Sequence, residues 1–115
     1  MKRVAIPIVN NKLSEYFGAC SFYNIYEING NHVSKSIYKK PAISAISELP
    51  AWAVENGITD IITYKISSQI ISLFSKHKIN LYVGISINEP EQLIEEYLNE
   101  NLVSDHTVIE QIINE

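Results

Sequence analysis

The spacing of apolar positions changes along the chain, and each change marks a predicted element. Val4 to Val9 is an apolar, β-branched run broken only by Pro7, the pattern of a buried strand. Asn10-Asn11 predicts a turn. Ser14 to Ser21, with Gly18 and several small residues, predicts a loop. Phe22, Asn24, Tyr26 and Ile28 then alternate with Tyr23, Ile25 and Glu27, which is the two-residue period of a strand. Asn29-Gly30 is a strong hairpin signal. It predicts an antiparallel partner strand from His32 to Tyr38.

Helical spacing dominates the second half. Pro41 opens a loop, and either Ser44 or Ser47 caps the helix that follows. Pro50 fits the first turn of that helix. Leu49, Trp52, Ala53 and Asn56 share one face, and Gly57 suits the left-handed residue just past its end. Ile58 to Thr63 reads as a buried strand. A second helix is predicted from Ser67 to His77, with Ile70, Ile71 and Phe74 as its inward stripe. Ile79 to Val83 is the next strand, ended by Gly84. Asn88 and Glu91 predict a reciprocal cap, with Pro90 in the first turn. Pro90, Leu93, Ile94, Tyr97 and Leu98 then form the clearest amphipathic helix. A fainter stripe, Val108, Ile109, Ile112 and Ile113 behind Asp105, predicts an additional C-terminal helix.

The predicted order is β-β-β-α-β-α-β-α with that possible C-terminal helix. Strands joined through helices run parallel with right-handed crossovers. The fold class is therefore α/β, a mixed five-stranded sheet with helices packed on it. Val4–Val9, Ile58–Thr63 and Ile79–Val83 are expected to be central, with the Phe22–Tyr38 hairpin at one side. Residues 1–102 form the domain and 103–115 a C-terminal helical extension. That extension adds an apolar stripe after the predicted sheet is complete, which predicts a homodimer through the C-terminal helix, the alternative being that this helix folds back onto its own sheet.

Composition narrows the function classes. The chain has 115 residues, 46% of them hydrophobic, and a formal net charge of −4. One domain with one modest core suits this size. The sequence shows no basic stripe, which argues against nucleic acid as a partner. No apolar run is long enough to span a bilayer. The start Met1-Lys2-Arg3 leads directly into a strand pattern without a signal-peptide core, so a cytoplasmic location is expected. The one cysteine, Cys20, excludes an intramolecular disulfide and cannot alone supply a four-thiolate site.

The remaining chemistry is sparse. His32, His77 and His106 have no metal-ligand spacing with one another or with Cys20. Adjacent Glu95-Glu96 point in different directions on a helix, which rules against a carboxylate dyad. Ser67-Ser68 at a helix start suits capping or an anion. Asp60 is the one Asp near a strand end, too few acids for metal-dependent nuclease chemistry. No Ser-His-Asp order, phosphate loop or dinucleotide fingerprint occurs. With no catalytic constellation, enzyme activity is not expected.

Several segments resemble the dinitrogenase iron–molybdenum cofactor biosynthesis family, whose fold is ribonuclease-H-like. Met1-Lys2-Arg3-Val4-Ala5-Ile6-Pro7 is similar to its opening strand. The stretch from Leu13 to Tyr23, with Ser14, Tyr16, Phe17, Gly18 and Cys20, is similar to its signature loop. Trp52, Glu55, Gly57, Asp60, Ile61 and Ile62 match a helix-to-strand passage, and Ile79–Gly84 with Glu89–Leu98 the closing strand and helix. The resemblance spans roughly residues 1 to 102.

It implies a protein that binds or carries a metal–sulfur cluster of the iron–sulfur or molybdenum–sulfide type. Cys20 is then the metal ligand, Gly18, Tyr16 and Ser67 are neighbours in cofactor binding, and a metallocluster donor or acceptor protein is the partner. The chain departs from the family pattern at four places. Tyr16 replaces a usual His, and Ala19 a usual Arg. The stretches 41–46 and 63–67 lack the expected glycines, which let backbone N–H groups approach an anion. These departures favour an alternative, a member without metal that serves as a protein-interaction or regulatory module.

Overall fold

In the computed structural model, residues 2–15, 22–41, 46–66 and 68–104 are described. The strands are β1 (Lys2–Val9), β2 (Lys12–Leu13), β3 (Phe22–Asn29), β4 (His32–Lys39), β5 (Asp60–Ile62) and β6 (Asn80–Tyr82). The helices are α1 (Leu49–Glu55), α2 (Ser68–Lys76) and α3 (Pro90–Leu98), with a short 3₁₀ turn, Ile46–Glu48, leading into α1.

They build a mixed sheet in the order β4-β3-β1-β5-β6, with β2 on the far end of β1. β1 pairs antiparallel with β3 over seven residue pairs, from Lys2↔Ile28 to Ile8↔Phe22. It pairs parallel with β5 only at Val4↔Asp60 and Ala5↔Ile61, and with β2 at Ile8↔Leu13 and Val9↔Lys12. Pro7 lies between those two stretches. Its carbonyl accepts from the Ser14 amide at 2.8 Å. The carbonyl and nitrogen of one strand residue face the same side, so the missing donor of Pro7 falls where β1 changes partners, the place a proline in a central strand is tolerated.

The alternation of β1 and β3 divides the core into two layers. Ala5, Tyr23, Ile25 and Ile61 face α1 and α2, meeting Leu49, Ala53, Ile70 and Phe74. Val4, Ile6, Ile8, Tyr26, Ile28 and Ile62 face α3, meeting Leu93 and Ile94. Trp52 packs against the first layer, with its ring 5.2 Å from that of Tyr23.

Most expected elements are present, with differences that have physical causes. The sheet carries the short β2 beyond the five strands expected. β6 is an edge strand, not a central one. Its apolar ends Ile79 and Val83 are buried, but the paired residues Asn80, Leu81 and Tyr82 are exposed or half-buried. The hairpin loop is Gly30-Asn31, one residue later than expected, because Asn29 pairs with His32. Gly30 takes φ +65°, which suits glycine at the first loop position. Glu48 occupies the cap position of α1 and Glu89 that of α3, neither with a side-chain cap bond. Asn88 Oδ1 instead accepts from the Glu89 amide at 2.8 Å. Ser44 lies outside the described residues, as does the predicted C-terminal helix.

Candidate functional site

Ligands of open α/β sheets bind beyond the carboxyl ends of the parallel strands. Here that end comprises the chain after β1, β5 and β6, and the three connections are joined to each other. The Leu13 amide donates to the Asn88 carbonyl at 2.9 Å, linking the segment after β1 to that after β6. The Lys65 amide donates to the Glu15 carbonyl at 3.1 Å, linking it to the segment after β5. Gly84 N–H donates to the Tyr64 carbonyl at 2.9 Å, and Ile85 N–H to the Thr63 carbonyl at 3.1 Å, completing the set. Gly84 has φ +75°, a conformation available to glycine without strain.

Side chains reinforce this backbone network. Lys65 Nζ lies 3.5 Å from Glu15 Oε1 and 5.7 Å from the centre of the Tyr64 ring. Ser14 and Thr63 are buried, and the Thr63 hydroxyl donates to the Tyr82 carbonyl at 3.2 Å. The result is a joined rim in which Lys65 is paired with a carboxylate.

All four residues expected to bind a cofactor, Tyr16, Gly18, Cys20 and Ser67, lie outside the described residues. Described chain brackets them: Glu15 precedes the signature loop, Phe22 follows it, and Ile66 precedes Ser67. Among the described residues no group of three or more His, Cys, Asp or Glu is placed to hold a metal ion. His32 and His77 are exposed, as expected, while His106 lies outside the described residues.

Sequence reasoning missed two polar features. Asp60 is buried at the opposite, amino end of β5. Its carboxylate accepts from Thr59 Oγ1 at 2.5 Å and from Asn80 Nδ2 at 3.5 Å, and Lys2 Nζ lies 3.9 Å away. The Tyr97 hydroxyl also bonds to it, and burial with the nearby Asp60 charge pushes the Tyr97 phenol up. Burial and the same carboxylate push Tyr82 up. The second feature is Asn24 on β3. It is buried, and its Nδ2 donates to Tyr26 Oη at 2.9 Å. A polar residue on the apolar-facing side of β3 was the available signal.

Comparison with known proteins adds to this geometry. The sequence profile of the family described as dinitrogenase iron-molybdenum cofactor matches residues 1–100. The chain is 32% identical to the uncharacterized protein MJ0580 of Methanocaldococcus jannaschii, over 71% of this chain and 74% of that protein. In three dimensions it is similar to the crystal structure of PH0822, with a TM-score of 0.82 and 22% identity over 90% of this chain and 95% of that one. It is also similar to the apo form of the orange protein from Desulfovibrio gigas, with a TM-score of 0.75 and 11% identity over 91% and 93%. No helix among the described residues is long and apolar enough to cross a membrane.

Proposed function

Because the chain belongs to the dinitrogenase iron–molybdenum cofactor family, we propose that it binds or carries a metal–sulfur cluster at the carboxyl end of its sheet, as a carrier and not a catalyst. The supporting observation is the joined rim. Three connections are held by backbone hydrogen bonds, and the described residues on either side of the signature segment, Glu15 and Phe22, are each fixed by pairing. Cys20, the one cysteine of the chain, supplies the soft thiolate such a cargo needs. Tyr16, Gly18 and Ser67 would flank it.

The described residues fit the cargo only in part. They add no further group of metal ligands, and one thiolate does not close a tetrahedral site. The remaining contacts would come from backbone amides, from the sulfides of the cluster itself, or from Cys20 of a second protomer. Binding is therefore expected to be weak, with loading from a donor protein and delivery to an acceptor.

Anaerobic reconstitution of the full chain with iron and sulfide, and separately with tetrathiomolybdate, tests this. Metal analysis and absorption spectra are read on the wild type and on Cys20→Ser. Sub-stoichiometric colour that Cys20→Ser abolishes supports the proposal. Equal loading of the variant removes Cys20 from the site. No loading under any condition favours the metal-free interaction module.

A further inference from the structure

A cavity of about 440 Å³ is lined in part by Asp60. Its carboxylate already has Thr59, Asn80, Tyr97 and Lys2 as partners, so it calls for no ligand. A second cavity, of about 320 Å³, lies between the start of α3 and the β3–β4 hairpin. Its lining includes Asn24, Glu89, Glu91, Phe22 and Tyr38.

Three observations there point the same way. Asn24 is 2% exposed and its Oδ1 has no hydrogen-bond partner among the described residues. A buried acceptor left unpaired is destabilising, so a donor arriving from the cavity would recover that loss. Next, Glu89 and Glu91 stand at its edge, and among the described residues no Lys, Arg or His lines it. The α3 amino terminus offsets only roughly half a unit of that negative charge. The field reaches inward: after burial, the Glu91 charge is the next cause that pushes the Tyr26 phenol up to about 12. Finally, Phe22 and Tyr38 form an edge-to-face pair 5.0 Å apart, and Tyr38 is 67% exposed. An exposed aromatic face beside carboxylates suits a planar cation.

We propose that this cavity is a binding site for a guanidinium group, held between the Glu89 and Glu91 carboxylates, the Asn24 amide oxygen and the Tyr38 ring. A guanidinium carries five N–H donors on a flat, weakly hydrated cation. It matches acceptors and a π face together, which an ammonium does less well. An anion is repelled here. A bare metal ion would find two exposed carboxylates and no further ionised ligand.

Titration of the ¹⁵N-labelled full chain with N-acetyl-arginine methylamide tests the site, with the citrulline and lysine equivalents as controls. The expected result is saturable shift changes at Phe22, Asn24, Tyr38 and Glu91. Citrulline, the uncharged isostere, should bind at least about tenfold more weakly. Glu91→Gln lies on the exposed start of α3, should fold normally, and should weaken arginine roughly threefold or more. Asn24→Asp should tighten it. If Asn24→Asp does not fold alone, recovery of its folded spectrum by the arginine compound gives the same answer. Ethylguanidine binding as well as the arginine compound identifies a free guanidino compound as sufficient. Markedly tighter binding of an arginine-containing peptide identifies a protein side chain. Equal binding of citrulline, an unchanged affinity in Glu91→Gln, shifts confined to other surfaces, or no saturation would each overturn the assignment.

Discussion

Lys65 meets Glu15 twice, amide to carbonyl at 3.1 Å and ammonium to carboxylate at 3.5 Å. The backbone bond fixes the position of the two loops, while the ion pair governs the charge they present. Glu15 is 54% exposed, and pairs of that kind contribute at most about 1 kcal/mol. Glu15→Gln should therefore change urea stability by less than about that amount. It should raise loading of an anionic sulfide cluster, because Lys65 is no longer neutralised. Parallel urea melts and metal analysis check both halves, and reduced loading would count against a role for the Lys65 charge.

Trp52 is the one tryptophan of the chain and packs on Tyr23 and the α1–α2 layer. It is half-buried, so Trp52→Ala should cost about 3 kcal/mol, toward the lower end for such truncations. In the wild type its fluorescence should follow unfolding of that layer. A loss near zero would mean that the ring contact contributes nothing.

Gly57 and Gly30 have nearly equal positive φ, +67° and +65°. A Cβ at Gly57 would meet Arg3 Cδ at 3.6 Å, an ordinary contact, and one at Gly30 would meet nothing within 4 Å. Neither site has a steric clash, so Gly57→Ala and Gly30→Ala should each cost about 1–2 kcal/mol from backbone strain alone. Denaturation midpoints of the two variants should fall together. A much larger loss at Gly57 would reveal a packing constraint around Arg3.

Stability should fall on the alkaline side. Burial, with the Glu91 charge next in effect, pushes Tyr26 from 10.0 up to about 12. Below pH 10 the phenol is protonated in both folded and unfolded chains, and the neutral form fits the core. As pH rises from 10 to 12 the unfolded chain loses this proton first. The folded state then weakens by at most about 1.4 kcal/mol per pH unit from this group. Tyr82 and Tyr97 are raised too and add to the decline. Urea melts between pH 9 and 11.5 should show the slope, and Tyr26→Phe should flatten part of it.

What could be read from the sequence followed the range of the forces involved. Period-two alternation in β3 and the Leu93–Ile94 stripe of α3 are local signals; Leu93 and Ile94 are buried as expected, whereas β3 is buried on both faces from Tyr23 to Tyr26 and not on one. Gly57 and Gly84 were identifiable because a positive φ favours one residue type. The position of β6 was not readable, since strand order depends on which partner lies beside a strand. Ile79 and Val83 suggested burial on both faces, although the paired residues between them are partly open. Asp60 was visible as a lone carboxylate, but apart from the adjacent Thr59 its partners Lys2, Asn80 and Tyr97 come from three distant parts of the chain. The signature loop pointed to Tyr16, Gly18 and Cys20 through resemblance. The stitched rim around it emerged only when β1, β5 and β6 were laid side by side.

Pro7 has a consequence for how this protein tolerates change. A strand sliding along β1 from the β5 side meets a residue that cannot donate, so that ladder ends at Ala5. Before Pro7, β1 lies between β3 and β5; beyond it, Ile8 and Val9 pair with β2, while Ile8 stays in the core and paired with Phe22 of β3. Substitutions or insertions beyond Pro7 can therefore alter the loop without shifting the register beneath it. One proline divides the strand's pairing between β5 and β2, which lets a single scaffold host loops of differing chemistry.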